Sequence, residues 1–323
     1  VWTREDDIQH DYYHGVSDQR IDAGLDENGG LLAWQHRVTF PPIRSIRDAS
    51  AVSGSDGELG NGFADNPFVT PNMRLENGEA KGKTRIGWYR SVHNLQHAFA
   101  VQSFAAELAD AAGRDQKDYL LELIGPDRII NLEDDGLKIE YNNHRQSLDE
   151  FPIDTARLKN VLNIAADKIG WRSDLPSGRG MGVAAHRNFL SYVAMAVEVE
   201  IVDGELTIPQ VQIACDCGLA VNPESVKAQL EGGCLFGLST ALDSEITMSN
   251  GKVNQSNFHD YKVLRIDRSP RNISVTLVEH DDQPPGGIGE ASTPCFIPAF
   301  TNAIFAATGK RIRSLPIGDQ LRA

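Results

Sequence analysis

Three consecutive segments rich in β-branched residues constrain the fold more than any other feature of this sequence. They read VAAH (183–186), YVAMAVEVEIV (192–202) and ELTIPQVQIACD (205–216). Residues of this type favour strands, and Asp203-Gly204 between the last two segments suits a tight turn. Strand and helix patterns alternate irregularly over the rest of the chain, which disfavours a regular doubly wound sheet. The sequence therefore predicts the α+β class, with mixed β-sheets and packed helices.

Helices are predicted in five places, from apolar residues at a spacing of three and four and from capping residues at the ends. Asp154 and Asn222 are suitable N-caps, and Pro223 suits the first helical position. Gly113 and Gly170 suit the position just after a helix C-terminus, where positive φ is common. The predicted helices cover about 94–112, 115–124, 154–169, 222–242 and 294–307.

The first 83 residues are predicted to hold a hairpin followed by a long loop. RIDAGL and LLAWQHRVTF flank the turn at residues 27–30, ENGG, whose Asn and Gly tolerate positive φ. From Pro41 to Lys83, the residues are mainly Gly, Ser, Asn, Asp and Pro, with few apolar anchors. We therefore expect a long surface excursion there, or a segment that packs on a missing partner.

Composition and charge exclude several classes of protein. Lys and Arg total 31 against 45 Asp and Glu, and the net charge of −14 disfavours a general nucleic-acid or anionic-membrane surface. Four cysteines in 323 residues cannot form a disulfide framework, and no run of 18 apolar residues occurs. The motifs GxGxxG, GxxxxGK[ST] and GxSxG are absent, so nicotinamide hydride transfer, phosphoryl transfer and serine hydrolysis have no support.

The segment QPPGGIGEASTP (283–294) holds the leading candidate for a catalytic residue. Its glycines permit φ values and close approaches that a Cβ would forbid, and Pro284-Pro285 stiffens the entry. Glu290 follows directly, just before a predicted helix N-terminus whose unpaired N–H groups and dipole favour an anionic ligand. A tight loop with an acidic capping residue is the alternative, and the pattern alone favours it.

A second candidate is Arg90, in the segment GWYRSVHNLQHAFAVQSF (87–104). It lies just before a predicted helix N-terminus, where a guanidinium group could bind a phosphate or a polar heterocycle in forked geometry. The alternative is an arginine paired with one of the 45 acidic residues, and this alternative is favoured without other evidence.

Histidine and cysteine pairs give little support for a protein-bound metal. His93 and His97 are four residues apart and could share a helix face, but neither an HExxH motif nor a third ligand accompanies them. A zinc hydrolase built on this pair would need that third ligand. Cys215 and Cys217 lie on one face of a predicted strand without a second cysteine pair, so we expect buried thiols there.

Seven blocks occur in an order that is more specific than any one of them: VWTREDD, GWYRSV, GRGMGVAAH, VQIACDCGLAVNPESVKAQLEGGCLFGLSTAL, QSNFHDY, PPGGIGEAS and NAIFAATGKRIRSLPI. Together they resemble the C-terminal half of the molybdenum-binding large subunit of the xanthine dehydrogenase and aldehyde oxidase family. The resemblance is strongest to the bacterial branch typified by isoquinoline 1-oxidoreductase beta subunits, which includes membrane-associated aldehyde dehydrogenases. It covers nearly the whole chain.

The resemblance implies a molybdenum-cofactor-binding fold of the xanthine oxidase type. It implies oxidation of an N-heteroaromatic, isoquinoline-like substrate or of an aldehyde with water-derived oxygen, with Glu290 as the general base. At the position of Phe236 the eukaryotic members carry glutamine, and the bacterial branch does not. The residues implied to lie at the cofactor are Gly287, Ile288, Gly289, Arg90, Ser91, Val92, Gly232, Gly233 and Phe236.

The resemblance also implies a division of the chain. Residues 1–150 would form the first part of the molybdopterin-binding region, with the hairpin, the long loop and the Arg90 segment. Residues 151–323 would form a second subdomain that carries the GIGEAS loop. The implied cofactor is a molybdenum–pterin group, in the form of molybdopterin cytosine dinucleotide.

The implied partners are the N-terminal half of the large subunit and a small [2Fe-2S] subunit that carries the iron–sulfur clusters. That half supplies GGxFG-type and MGQG-type loops, which this sequence lacks. Since the chain opens with VWTREDD, without Met or a signal segment, we expect a piece of a longer protein that holds only part of the cofactor cage. The branch suggests a periplasmic or membrane-associated location, with the cytoplasm as the alternative. The competing hypothesis for function is a non-catalytic or degenerate partner-binding domain of the same fold.

Overall fold

The computed structural model describes residues 1–134 and 136–321. Residue 135 and residues 322–323, which the predicted regions 1–150 and 151–323 include, lie outside the described residues. Within the described residues, the helices are α1 (Arg4–His10), α2 (Asp56–Leu59), α3 (Asn94–Ala111), α4 (Gln116–Ile124), α5 (Thr155–Ile169), α6 (Pro223–Leu242) and α7 (Thr293–Thr308). The strands are β1 (Asp18–Leu25), β2 (Leu31–Thr39), β3 (Asn72–Gly78), β4 (Ile129–Ile130), β5 (Ile153–Asp154), β6 (Arg179–Asn188), β7 (Ser191–Val202), β8 (Glu205–Asp216), β9 (Met248–Ser249), β10 (Lys252–Val253) and β11 (Ile273–Leu277).

A four-stranded mixed sheet, in the order β11-β8-β7-β6, forms the centre of the molecule. Strands β6, β7 and β8 pair antiparallel to one another, and β11 pairs parallel to β8. Asp203 and Gly204, with φ of 51° and 80°, form the predicted turn between β7 and β8. The α+β class with mixed sheets is confirmed.

Helices cover both faces of this sheet, so β6, β7 and the second half of β8 are buried on both sides, whereas β11 is half-buried. Val193, Met195 and their alternate neighbours on β7 contribute to a cluster with α6 and α7, whereas Ala194 and Ala196 contribute to a second cluster with α5. Gly182 on β6 allows α7 to lie close to this strand, since a Cβ added at this position would collide with the α7 backbone. The N-terminus of α7 is thereby fixed against the sheet.

The prediction of a surface excursion at residues 41–83 is wrong for a large part of that segment. It contains β3, which pairs parallel to β2 and extends the predicted β1–β2 hairpin to a three-stranded sheet. Leu59 and Phe63 from the same segment are buried against Val38 and Phe40 of the hairpin. The reason is that a few widely spaced apolar side chains are enough to anchor a polar segment once non-local strand pairing satisfies its backbone.

Five predicted helices are confirmed, with Asp115, Asp154 and Asn222 as side-chain N-caps of α4, α5 and α6. Gly170 and Gly309, at the C-termini of α5 and α7, have φ of 71°. Among the described residues, no helix combines the length and the apolar character needed to cross a bilayer.

Candidate active site

Glu290 lies next to the Arg90 segment, although 199 residues of chain separate Ser91 from it. The Ser91 N–H donates to the Glu290 Oε2 over 2.6 Å, and the Ser91 hydroxyl donates to the Glu290 carbonyl oxygen over 2.7 Å. Ser91 is fully buried and Glu290 is half-buried. The structure therefore brings together the two segments that the sequence singled out.

The backbone of the Arg90 segment is in an unfavourable conformation at this contact. Ser91 and Val92 have φ of 77° and 48°, in the left-handed region that costs non-glycine residues about 1–2 kcal/mol each. The segment is held by the Val92 N–H, which donates to Tyr89 O over 2.8 Å, and by His14 Nε2, which lies 3.3 Å from Val92 O. Such strain persists where the surroundings fix it and is concentrated at functional sites.

Helix α6 provides the partners of Arg90. The Arg90 guanidinium donates to the backbone and side-chain oxygens of Gln229, both over 3.2 Å, and lies 5.7 Å from the centre of the Phe236 ring. Burial lowers the pKa of Arg90 from its usual value, while the Glu290 carboxylate acts in the opposite direction. Because an arginine stays protonated even then, the site contains a fixed positive charge beside Glu290.

Three buried polar atoms converge where α6 meets the N-terminus of α7. Ser292 Oγ, Thr293 Oγ1 and Arg90 Nε have no hydrogen-bond partner among the described residues. A Cβ added to Gly233 would collide with Ser292 Oγ and would lie 3.1 Å from Thr293 Oγ1. Unpaired donors at the start of a 16-residue helix favour an anionic group with several oxygen atoms.

The glycines of the Glu290 loop serve two different purposes. A Cβ on Gly286 would meet Ser191 Oγ at 2.5 Å and Leu190 O at 2.7 Å, so the close approach to the β6–β7 turn requires glycine there. The Gly287 N–H donates to Phe189 O over 2.7 Å. A Cβ on Gly289 would have no described atom within 4 Å, so this glycine borders open space beside Glu290.

The predicted site residues differ in how directly they take part in this arrangement. Arg90, Ser91 and Glu290 form one contact group, and Gly232 and Gly233 approach the Arg90 guanidinium. Ile288 is half-buried against the core cluster of α6 and α7, and the backbone of Val92 binds Tyr89 and His14 rather than Glu290.

Sequence reasoning did not assign three residues that the structure places here. Ser292 and Thr293 directly follow the Glu290 loop at a helix N-terminus, so their position was a usable signal. Gln229 is one turn before Gly233 on the predicted helix, which was a weaker signal.

The weaker metal candidates gain no support. His93 Nε2 lies 3.2 Å from Glu58 Oε1, His97 Nδ1 lies 2.9 Å from the backbone oxygen of Asn61, and the two ring centres are 6.1 Å apart. No group of three or more His, Cys, Asp or Glu within the described residues is arranged to hold a metal ion. Cys215 and Cys217 are buried free thiols, as expected.

The chain is similar to several known proteins. Residues 130–270 match a family model described as a molybdopterin cofactor-binding domain. The chain is 28% identical to a nicotinate dehydrogenase subunit of Pseudomonas putida over 94% of this chain and 25% of that protein. It is 28% identical to a membrane-bound aldehyde dehydrogenase (pyrroloquinoline-quinone) of Gluconacetobacter polyoxogenes, over 100% of this chain and 42% of that protein. It is 27% identical to the beta subunit of isoquinoline 1-oxidoreductase of Brevundimonas diminuta, over 99% of this chain and 38% of that protein.

The fold is similar to that of a solved oxidoreductase. Quinoline 2-oxidoreductase from Pseudomonas putida 86 superposes with a TM-score of 0.77 at 11% identity, covering 100% of this chain and 63% of that one. The chain spans between 25% and 42% of the length of the three relatives compared by sequence. The resemblance to molybdenum-binding large subunits of the xanthine dehydrogenase and aldehyde oxidase family is confirmed, and so is the fold expected from it.

Proposed function

We propose that this chain is part of a molybdenum hydroxylase in which Glu290 is the general base. The observation that carries the proposal is the fixed Glu290 carboxylate, held by the Ser91 N–H at 2.6 Å beside the cationic Arg90 and open space at Gly289. A general base has to be held within reach of the proton it removes, and a half-buried carboxylate on a rigid loop satisfies this requirement.

The residues present fit a molybdenum–pterin cofactor. The unpartnered Ser292 and Thr293 hydroxyls and the Arg90 guanidinium would hold its anionic oxygen atoms at the N-terminus of α7. Gly232 leaves room near Arg90, because a Cβ there would meet only the Arg90 side chain, at 4.0 Å. When bound, the cofactor would supply the acceptor for the hydrogen and the two electrons of the C–H bond that breaks as the oxygen bonds to the substrate carbon.

Within this site, the chain's own residues would orient the base and accept a proton. Glu290 Oε2 is occupied by the Ser91 N–H, so we assign Oε1 as the atom that receives the proton. The proton would leave the attacking, water-derived oxygen as it forms a bond to an electron-poor carbon of the substrate. Arg90 would stabilise the negative charge at the site before this transfer.

The names of the relatives support two substrate classes. Nicotinate, isoquinoline and quinoline in three of the names favour an N-heteroaromatic substrate, and the aldehyde dehydrogenase favours an aldehyde as the second candidate. Both classes present an electron-poor carbon, so both suit the same base. We further propose the cytosine dinucleotide form of the cofactor, and a partner subunit with the [2Fe-2S] clusters that receives the electrons.

The test is Glu290→Gln in the full-length complex, with Glu279→Gln as the matched control on an exposed carboxylate near the same loop. Loss of general-base catalysis is expected to lower kcat by about 10²–10⁴-fold for Glu290→Gln, with the molybdenum content unchanged. The control should remain within about twofold of the wild type, a difference worth only ~0.4 kcal/mol. Near-wild-type turnover of heterocycles and aldehydes by Glu290→Gln would instead favour a non-catalytic, partner-binding role.

A further inference from the structure

A second segment, the β6–β7 turn, also holds the Glu290 loop. The Asn188 side-chain amide donates to Ala291 O over 3.1 Å, and the Ser191 hydroxyl donates to Gly287 O over 2.9 Å. Phe189 O accepts the Gly287 N–H over 2.7 Å. These bonds are made three residues before Glu290 and one residue after it, so the β6–β7 turn fixes the backbone on both sides of the proposed base.

The β6–β7 turn has an unusual composition for its conformation. Phe189 and Leu190 have φ of 48° and 68°, a combination that two-residue hairpin turns normally reserve for Asn-Gly. Large side chains at both positions are unfavourable, and such backbone persists only where other contacts determine it. A contact that keeps Phe189 in place is therefore expected.

That contact is made by His144. The His144 and Phe189 rings are stacked, with their centres 4.7 Å apart and their planes inclined by 28°. His144 is itself in a left-handed turn, in which Asn143, His144 and Arg145 have φ of 40°, 54° and 65°. A run of three such non-glycine residues is rare, because each places its Cβ too close to the next carbonyl oxygen.

The left-handed turn is fixed to the end of β6. The buried Asn143 side-chain amide donates to the backbone oxygens of Gln146 and Phe151 over 3.2 and 3.1 Å. Arg187, the residue before Asn188 on β6, donates to Asn143 Oδ1 over 2.9 Å. His144 therefore projects from a rigid support, and its ring limits the movement of Phe189.

We propose that Phe189, held by the His144 ring, is a positioning residue for Glu290. Neither residue was a candidate in the sequence, and neither needs to touch the substrate. Without the His144 ring, the β6–β7 turn would relax toward a less strained conformation and would carry Gly287 with it. This inference depends on the proposed role of Glu290, since misplacement of a base matters only where a base is used.

The proposal is tested in the full-length complex with His144→Ala, which removes the stack, and His144→Phe, which keeps it. Arg145→Ala is the matched control, because Arg145 is exposed and lies in the same left-handed turn. For each variant, kcat and KM per bound molybdenum are measured with a strongly and a weakly electron-deficient heterocycle. Hydrogen exchange at the Gly287 amide is measured in the protein without cofactor.

His144→Ala is expected to lower kcat about tenfold with a nearly unchanged KM, because small displacements of a catalytic group cost large factors in rate. The loss should be greater for the weakly electron-deficient substrate than for the strongly electron-deficient one. A smaller fraction of active enzyme would lower both rates by the same factor and would leave their ratio unchanged. Exchange at Gly287 should accelerate, and His144→Phe and Arg145→Ala should match the wild type.

Two results separate the failure of this inference from the failure of the proposed function. If Glu290→Gln is inactive while His144→Ala has the wild-type kcat, or loses the same factor with both substrates, the positioning role is wrong and the base remains. If Glu290→Gln retains full activity, the proposed function itself is wrong, and the positioning role fails with it.

Discussion

The Ser91 N–H and the Glu290 carboxylate oxygen Oε2 are joined by a hydrogen bond of 2.6 Å across 199 residues of chain. Ser91 presents this N–H from a left-handed backbone conformation, with φ of 77°, and its hydroxyl binds the Glu290 carbonyl oxygen as well. Two separate contacts from one residue therefore fix both the backbone and the carboxylate of Glu290.

The first prediction concerns these two contacts. Ser91→Ala removes the hydroxyl bond and keeps the strained backbone, so the free energy of unfolding should fall by about 1 kcal/mol. Ser91→Gly removes the same bond but relieves the strain, because glycine adopts positive φ readily. Denaturant unfolding should therefore show a smaller loss for Ser91→Gly than for Ser91→Ala, and the reverse order would contradict this account of the Ser91 backbone.

The meeting point of α6 and α7 leads to a second prediction. A Cβ at Gly233 would collide with Ser292 Oγ and would lie 3.3 Å from Arg90 Nη2. Gly233→Ala should lower the stability by about 1–3 kcal/mol through overpacking and should reduce the bound molybdenum. Gly57→Ala, on the short helix α2, is the control and should keep both properties, because an added Cβ there would meet no described atom within 4 Å. Equal molybdenum contents in the two variants would argue against a cofactor site at Gly233.

A buried ion pair at the end of β8 gives the third prediction. Arg157 donates to both oxygens of Asp216, over 2.8 and 2.5 Å, and Asp216 is fully buried. Burial alone would raise the pKa of Asp216, but the Arg157 guanidinium outweighs it and the pKa lies below its usual value. Arg157→Ala should lower the stability by about 3–5 kcal/mol, because it removes the guanidinium that compensates the buried carboxylate and leaves only the Gly218 N–H and the His280 ring beside it.

The exposed pair Arg20 and Asp22 is the matched control for Arg157. Arg20→Ala should leave the unfolding midpoint unchanged, because solvent screens exposed charges. If both alanine variants unfold at the wild-type midpoint, the buried pair does not stabilise the fold.

The fourth prediction is a loss of stability in mild acid. Burial lowers the pKa of His14, His36 and His186 to about 4, and that of His97 well below its usual value. An unfolded histidine titrates near 6.5, so the folded state binds fewer protons at acidic pH. The stability is therefore fully present above about pH 6.5 and falls as the pH decreases toward about 4.

Thermal unfolding measured across this range tests the acid sensitivity. Tm should fall steadily below about pH 6.5 in the wild type, and less steeply in His186→Asn, which lacks one buried imidazole. His10→Gln, at an exposed position, should follow the wild type. A Tm that does not change between about pH 7 and pH 5 would show that the buried histidines are not neutral in the folded state.

Local signals in the sequence predicted most of the secondary structure. The helices were found because their capping residues, such as Asp154 and Asn222, act within a few positions of the helix start. Strand β3 was missed because NMRLENG has only two apolar residues and no β-branched ones, and its parallel pairing with β2 depends on residues about 40 positions away.

The site was predictable only in part, for a similar reason. Glu290 and Arg90 were identified from motifs, but the contact at Ser91 depends on the tertiary structure. The His144–Phe189 stack could not have been found, since a left-handed conformation at a residue other than glycine leaves no pattern in the sequence. Ser292 and Thr293 were visible at the start of α7, but a hydroxyl at a helix start usually caps the helix, and neither does so here.

The role of Glu290 is tested by the rate at which substrate reduces the full-length enzyme in a single anaerobic turnover, expressed per bound molybdenum. If Glu290 is the general base, Glu290→Gln lowers this rate by at least about 10²-fold, while Glu279→Gln keeps the wild-type rate and both keep the wild-type molybdenum content. A Glu290→Gln rate within about twofold of the wild type, a difference of only ~0.4 kcal/mol, would contradict the assignment of Glu290 as the general base.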